Sequence, residues 1–565
     1  MSATAAQTTL GAAEPAGGAN KRRLPVLPVA ALLQEQQTLT AVERFAEAHA
    51  SADQPLQARY YRDLIPLERP RSGQQYAFEV DLDLCTGCKA CVAACHTLNG
   101  LDEHEMWRSV GLLHGGTPLA PALQTVTTAC HHCVEPACLK GCPVQAYEKD
   151  PVTGIVRHLD DQCFGCQYCT LMCPYDAPKY NKARGIVRKC DMCSDRLEHG
   201  EAPGCVQACP NEAIAIRIVE QAAVIQASDA NGFLPGAPTP EHTLPTTVYK
   251  TQRPMPSNML PVDFYWTSPE HSHPPLVVML TLTQLSAGAF AVGLLVQRLS
   301  GNPAGSPLAQ AVFGCSLALV ALGASVFHLG RPQLFYRAFL GLRTSWLSRE
   351  AIAFGVFAKL AIAYAALAAA PLLPAFPFKA ELAGAAPELQ IAAAVTGMLG
   401  VFCSVMVYVA TRRPQWSGTQ TGIKFFGTTL LLGGAAVLAV KSFTSSGAEQ
   451  DVPSQALLWL VLAATGIKLA YEASGFLHYD DKQQTIGKRM SRVMWHDLRR
   501  VTLLRFGVAV AGLAIALAWL TGQVPVSGLR PAAVSLLTLL LVGESAERYL
   551  FFRAAPASRM PGGLR

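Results

Sequence analysis

Hydropathy divides this 565-residue chain near position 275. Beyond it, eight long apolar runs follow one another at 276–297, 308–329, 350–371, 389–411, 424–443, 454–475, 501–521 and 531–552. A helix needs about 20 mostly apolar residues to cross the hydrocarbon of a bilayer. One such run could be a buried helix of a soluble core. Eight in succession, with little charge and with breaks such as SGNPAGSP and RRPQW between them, predict a transmembrane bundle, because helices satisfy their own backbone in lipid. Before position 275 the pattern is different. Short strand-and-turn stretches such as TGIVRHLD and NEAIAIRIV alternate with cysteine-rich segments. Near the start, LTAVERFAEAH predicts one short helix after a polar tail. Residues 221–275, as in NGFLPGAPTPEHTLPTT, are rich in Pro, Ser, Thr and Gly and read as a surface connector without its own core.

These segments predict a multidomain chain: a tail with a short helix (1–72), an α+β domain (73–220), a linker (221–275), an all-α eight-helix membrane bundle (276–553) and a C-terminal tail (554–565). A basic cluster with Arg22 and Arg23 precedes an apolar stretch broken by Pro25 and Pro28, which reads as part of the tail rather than as an export leader. The net charge of +6 is modest, and no basic run with interleaved aromatics points to nucleic acid.

Cysteine changes the picture most. Of 18 cysteines, all but Cys315 and Cys403 lie between Cys85 and Cys209. Those two sit in apolar runs and read as buried thiols. The rest form four groups: Cys85, Cys88, Cys91, Cys95; Cys130, Cys133, Cys138, Cys142; Cys163, Cys166, Cys169, Cys173; and Cys190, Cys193, Cys205, Cys209. A proline follows the last cysteine of the second, third and fourth groups. The C-x2-C-x2-C-x3-C run is the ferredoxin spacing for cubane iron–sulfur clusters, in which the cysteine after the longer gap reaches a neighbouring cluster. Structural zinc, which prefers paired thiolates with a long spacer, is the competing reading, and only the fourth group resembles it. The strand-and-turn stretches between groups fit two ferredoxin-like units that carry two groups each. A row of clusters conducts electrons. No catalytic acid, base or substrate pocket accompanies it, so a non-catalytic electron-transfer subunit is expected.

The segments YAFEVDLDLCTGCKACVAACH, CHHCVEPACLKGCP, CFGCQYCTLMCPYDAPKYN and KCDMCSDR resemble the electron-transfer subunit of the dimethyl sulfoxide reductase family. The resemblance implies that the first group pairs with the fourth and the second with the third. Four [4Fe–4S] clusters would then be held by Cys85, Cys88, Cys91 and Cys209; by Cys95, Cys190, Cys193 and Cys205; by Cys130, Cys133, Cys138 and Cys173; and by Cys142, Cys163, Cys166 and Cys169. With every site filled, His96, His131 and His132 read as hydrogen-bonding or surface residues.

In the membrane half, SVFHLGRPQLFYRAFLGLRTSWLSREAIAFGVF, RRPQW, KFFGTTLLLG and ERYLFF resemble the membrane anchor of the same family, so the chain looks like a fusion of two subunits. The resemblance places quinol chemistry on His328 and Glu350. The residues agree, because a quinol that loses two electrons also loses two protons, which a histidine and a carboxylate can accept. A histidine that merely caps its helix is the other reading. Arg349, Glu544 and Lys468 are further candidates, with Glu544 expected to pair with Arg548 and Lys468 with Glu472. His328 is the single histidine in the spans, so no b-type haem is expected. Lys and Arg concentrate in the loops on the side of the cysteine domain, among them Arg331, Arg337, Arg412, Arg413, Lys488, Arg489 and Arg500, which predicts an inner-membrane protein whose cysteine domain faces the cytoplasm. The expected partners are membrane lipid, quinone or menaquinone, and a separate catalytic subunit that binds molybdopterin. Reductases of this family face away from the cytoplasm, so a cytoplasm-facing sulfite:quinone dehydrogenase is an alternative, as is an electron module for a hydrogenase or formate-type enzyme.

Overall fold

Two compact units, residues 1–59 and 60–565, make up the protein in a computed structural model. It describes residues 40–51, 56–230, 232–300, 305–372, 385–444, 451–556 and 559–561, with Val29, Leu33 and Gln34. Arg22 and Arg23 lie outside the described residues. In the first unit the expected short helix is α1 (Ala41–Ser51), opened by a capping box. The Thr40 hydroxyl accepts from the Glu43 N–H at 3.2 Å, and the Glu43 carboxylate accepts from the Thr40 N–H at 2.7 Å.

The second unit begins with β1 (Gln74–Asp81), α2 (Ala90–Leu98) and the hairpin β2 (Ser109–Thr117) and β3 (Ala120–Thr128). Two matching modules follow: α3 (Ala137–Gly141) with the hairpin β4 (Tyr147–Lys149) and β5 (Val156–His158), then α4 (Tyr168–Met172) with the hairpin β6 (Lys179–Asn181) and β7 (Ile186–Arg188). Next come α5 (Ser194–Glu198), α6 (Gly204–Gln207), β8 (Ile214–Glu220), α7 (Gln221–Asp229), β9 (Val248–Lys250) and β10 (Leu260–Pro261). Strand β1 is central in the order β8-β1-β9, so Gln75, Tyr76, Ala77 and Phe78 are all buried and no simple alternation survives.

Residues 221–275 are not a connector. β9 adds a parallel edge to β1, and β10 extends the β2–β3 sheet. Leu234 and Met259 join the core formed by Val80, Leu82, Leu113 and Val126. Thr246 donates to the His131 carbonyl at 2.7 Å, and Asn258 exchanges two hydrogen bonds with the Gly116 backbone. Composition measures whether a segment can form a core of its own. It does not register that short extended pieces can complete the core and cover the strand edges of a neighbour.

The membrane half contains α8 (Pro274–Ser300), α9 (Pro307–Val326), α10 (Trp346–Ala369), α11 (Ala386–Val409), α12 (Gly418–Thr444), α13 (Val452–Ser474), the short α14 (Ile486–Trp495), α15 (Arg499–Leu520) and α16 (Leu529–Arg553). All but α14 are long and apolar enough to span a membrane, giving eight spans among the described residues. α9 stops at Val326, so His328 lies in the following turn, and α10 starts at Trp346, so Glu350 is inside the helix. α8 faces both groups of helices. It packs with α9, α10 and α11 around Phe290, Phe354 and Phe357, and with α12 and α16 around Leu285, Leu432 and Leu536. The crossing of α8 and α12 is close. A Cβ on Gly288 would stand 2.1 Å from the Thr429 carbonyl oxygen, the small-residue contact by which membrane helices approach in the absence of a hydrophobic drive.

The cysteine domain sits on this bundle through a shared apolar core, which includes Ala137, Tyr168 and Met172, and through backbone groups. Arg331 and Arg337 donate to the carbonyls of Asp160 and Asp161 at 2.9 Å, Arg413 donates to Thr170 and Leu171 at 3.1 Å, and Ser345 donates to Gly141 at 2.7 Å. Part of the arginine excess on this side therefore serves docking. At the centre, Gly330 lies on Gly165 and Gly185, and a Cβ on Gly330 would meet the Gly185 oxygen at 2.1 Å. Gly330→Val is expected to loosen the dock by about 1–3 kcal/mol, the usual cost of overpacking. Amide hydrogen exchange should then quicken in residues 160–188 and 328–345. Exchange as slow as in the parent would show that the contact does not hold the two halves together.

Candidate metal centres and membrane site

The cysteine loops curl because their backbone turns left-handed at matched places. Gly87 and Lys89 in the first group, and Gly165 and Gln167 in the third, have φ between 61° and 73°. Such turns aim successive N–H groups inward, the geometry of an anion nest. Ala146, Ala213 and Met192 accordingly direct N–H groups at the sulfurs of Cys142, Cys209 and Cys190 at 3.2–3.4 Å.

The fold brings cysteines of different groups together. One cavity is lined by Cys85, Cys88, Cys91 and Cys209, and a second by Cys130, Cys133, Cys138 and Cys173. Cys95, Cys190, Cys193 and Cys205 lie within reach of one another's charge, and so do Cys142, Cys163, Cys166 and Cys169. Burial pushes Cys95 up to about 12 and Cys193 to about 11, and the charge of Cys205 adds to both. The thiols ring open space rather than converging on a point. Among the described residues, no group of three or more His, Cys, Asp or Glu side chains is placed to hold a single metal ion.

Two buried cations stand among the sulfurs. Burial works against the charge on Arg108, but Cys205 and Cys91 more than offset it, and Lys189 is held charged in the same way by Cys130 and Cys138. His131 and His132 line the second cavity and are buried and hydrogen-bonded through Nδ1, to Thr247 and to the Val156 N–H. Burial pushes His131 down to about 3, so it is neutral. The Nε2 atoms of both have no hydrogen-bond partner among the described residues. Open space, thiols, cations and orphaned ring nitrogens together fit an anionic group rich in sulfur acceptors.

At the membrane, His328 Nε2 lies 3.2 Å from the Cys166 carbonyl oxygen. Burial holds its pKa below the ordinary histidine value, and the Cys166 carbonyl works the other way. Its ring packs edge-on against His273, at 5.1 Å between centroids, which packs in turn on His271 at 5.0 Å. Glu350 is buried and accepts a hydrogen bond from Ser404 of α11. Tyr168 of α4 senses the Glu350 charge and donates to the Val407 carbonyl at 2.7 Å. His328 and Glu350 thus both lie at the junction of the two halves, with no hydrogen bond between them among the described residues. His273, Tyr168 and Ser404 were missed from sequence. Their signal was faint: a histidine just ahead of the first span and single hydroxyls in apolar or cysteine-rich runs. Arg349 turns away from the site, donating to the carbonyls of Leu342 and Arg343. Glu544 pairs with Lys468 and Arg505 rather than with Arg548, and Lys468 approaches Glu472 only to 4.0 Å. Spacing of i,i+4 along one helix loses here to partners on facing helices.

Thiol-ringed cavities with buried cations, seated on an eight-helix bundle, define a multi-pass membrane protein for iron–sulfur electron transfer. Residues 122–218 match the 4Fe-4S dicluster domain, and residues 270–553 match the DMSO reductase anchor subunit (DmsC). The chain belongs to the dimethyl sulfoxide reductase family and joins its iron–sulfur and anchor subunits in one polypeptide. It is 34% identical over 189 residues to the B subunit of anaerobic dimethyl sulfoxide reductase from Haemophilus influenzae, covering 32% of this chain and 91% of that protein. It is 38% identical over 148 residues to the B subunit of the Escherichia coli K12 enzyme of the same name, covering 25% and 72%. Hydrogenase-2 operon protein HybA of Escherichia coli O157:H7 is 37% identical over 160 residues, covering 24% and 49%.

Proposed function

We propose that this chain passes electrons between membrane quinone and a separate molybdopterin-bearing catalytic subunit, through four [4Fe–4S] clusters held by the four cysteine sets described above. Bound clusters supply one-electron transfer. The thiols hold them, Arg108 and Lys189 offset their negative charge, and the orphaned His131 and His132 nitrogens face acceptors. The set with Cys88, which is exposed, forms the outer end of the row. The set with Cys166 forms the inner end. The observation that carries the reading is the contact of His328 with the backbone of Cys166, which joins a polar group at the membrane edge to the innermost thiol set. A quinol there gives up two protons as its electrons leave. His328 and Glu350 accept them, and Ser404 and Tyr168 keep the carboxylate side of the site in place.

The anchor match over residues 270–553 favours a dimethyl sulfoxide reductase-type partner. The HybA likeness keeps a hydrogenase or formate-type partner in view, and sulfite oxidation is the third possibility. Basic residues that do not serve the dock, such as Lys482, Lys488 and Arg500, support an inner-membrane placement with the iron–sulfur domain in the cytoplasm. Membranes holding the whole complex, screened with dimethyl sulfoxide, sulfite, hydrogen and formate, identify the terminal substrate. Protein without iron and acid-labile sulfide would end the cluster reading. His328→Ala and Glu350→Gln are each expected to slow quinol-driven cluster reduction by about 10²-fold or more, as for removal of a positioned proton acceptor, with the clusters still assembled. Quinol-linked rates equal to the parent's in both variants would move the site elsewhere.

A further inference from the structure

α12, α13, α15 and α16 enclose a set of charges that the electron path leaves unused. Lys468 bonds Glu544, donates to Thr428 at 2.6 Å, and stands 3.5 Å from Glu547 and 4.0 Å from Glu472. Arg505 holds Glu472 through two bonds of 2.9 Å and approaches Glu544 at 2.7 Å. Arg548 donates to Gln284 of α8 at 3.0 Å, lies over the Phe425 ring and stands 3.5 Å from Glu547. Lys424 stands 3.3 Å from Glu547. Lys468, Arg505, Glu544, Glu547 and Arg548 are at most 2% exposed. Lys468 lies six residues inside the end of α13, about 9 Å deep at 1.5 Å per residue. Such a lattice is costly in a bundle, and well-packed apolar side chains would hold the helices as firmly.

The lattice is open on one side. A cavity of about 500 Å³ lies between α12, α13, α14 and α16 on the iron–sulfur side, and its wall includes Lys424, Glu472, Glu547 and Met490. Neither carboxylate oxygen of Glu547 has a hydrogen bond among the described residues, although cations flank both. A buried carboxylate without hydrogen bonds, bordering a space wide enough for several waters, is a place for water. Four cations (Lys424, Lys468, Arg505, Arg548) face three carboxylates (Glu472, Glu544, Glu547), so the lattice holds one positive charge in excess, which release of one proton would neutralise. Arginine does not give one up, whereas lysine can.

We propose that the cavity is a water-filled inlet through which Lys468 exchanges a proton with the iron–sulfur side by way of Glu547, a proton-exchange site of the anchor distinct from His328 and Glu350. The proton leaves the Lys468 ammonium, passes over Glu547 to cavity water and returns by the same route. The groups that face Lys468 set its balance: Thr428 and Lys424 from α12, Arg505 from α15, Glu544, Glu547 and Arg548 from α16, and Glu472 from its own helix. This does not depend on the cluster assignment.

Rapid-mixing infrared spectroscopy on the full chain in lipid nanodiscs tests it. A jump to alkaline pH should shift a carboxylate stretch that is missing in Glu547→Gln. Lys468→Arg, which keeps the charge but cannot release it, should keep the band and lose the shift. Gly475→Phe, at the cavity wall where an added Cβ meets nothing within 4 Å, should slow the shift at least tenfold. A shift that persists in Lys468→Arg, or a parent spectrum that Glu547→Gln leaves unchanged, overturns the exchange. An unaltered rate in Gly475→Phe overturns the inlet.

Discussion

Cys169→Ala is expected to remove one cluster and bring quinol-linked electron transfer to background. About four irons per chain should be lost, because one cubane needs four ligands. Cys169 is buried in the set nearest the membrane, beside Cys166, whose carbonyl meets His328. The other three sets share no ligand with it, so their reduced-state spectra should remain. The same substitution in the outermost set, Cys91→Ala, should leave reduction by quinol intact for the inner sets and stop delivery to the catalytic partner. If Cys169→Ala membranes still reduce the remaining clusters from quinol at the parent rate, electrons do not enter beside His328 and the order of the row is wrong.

The second large effect concerns stability. Lys468→Met is expected to destabilise the bundle by about 3–5 kcal/mol, the range for breaking a buried ion pair by removing one partner. The cost arises because Glu544 and Glu547 would keep their charges in a low-dielectric interior with one cation fewer. Lys468→Met combined with Glu544→Leu should recover a good part of the loss, since both buried charges then disappear. Reversible unfolding in mixed detergent micelles measures both variants against the parent. Equal stability of Lys468→Met and the parent would mean that the lattice is solvated well enough to tolerate an unpaired carboxylate. A double variant weaker than the single would mean that the remaining pairs depend on Glu544 itself.

The two halves make different use of polar groups. In the cysteine domain, Arg108 and Lys189 are buried among the thiol sets. In the bundle, Lys468 and Arg505 are buried against carboxylates of facing helices. Between them, the dock joins contacts of arginines and glycines with backbone carbonyls to an apolar seam, in which Ala137, Tyr168 and Met172 share a core with the bundle. Such a junction keeps Cys166 and His328 in register, because hydrogen bonds are directional where apolar contacts can slide.

Much of this protein could be read in one dimension. Cysteine spacing reported the thiol groups and their iron–sulfur chemistry, because thiolates that share a cluster recur at short, fixed gaps along the chain. Apolar runs reported eight spans, since the bilayer demands a minimum length of each helix on its own. Both signals are local, and local constraints survive in sequence. What the fold alone decided is where segments far apart meet. It recruited residues 221–275 into the cysteine domain, set His328 against Cys166, brought Ser404 to Glu350, and exchanged the expected Glu544–Arg548 pair for a lattice over four helices. Those choices depend on which helix faces and strand edges pack together, and a side chain's partners across a core are set by that packing rather than by its neighbours in the chain.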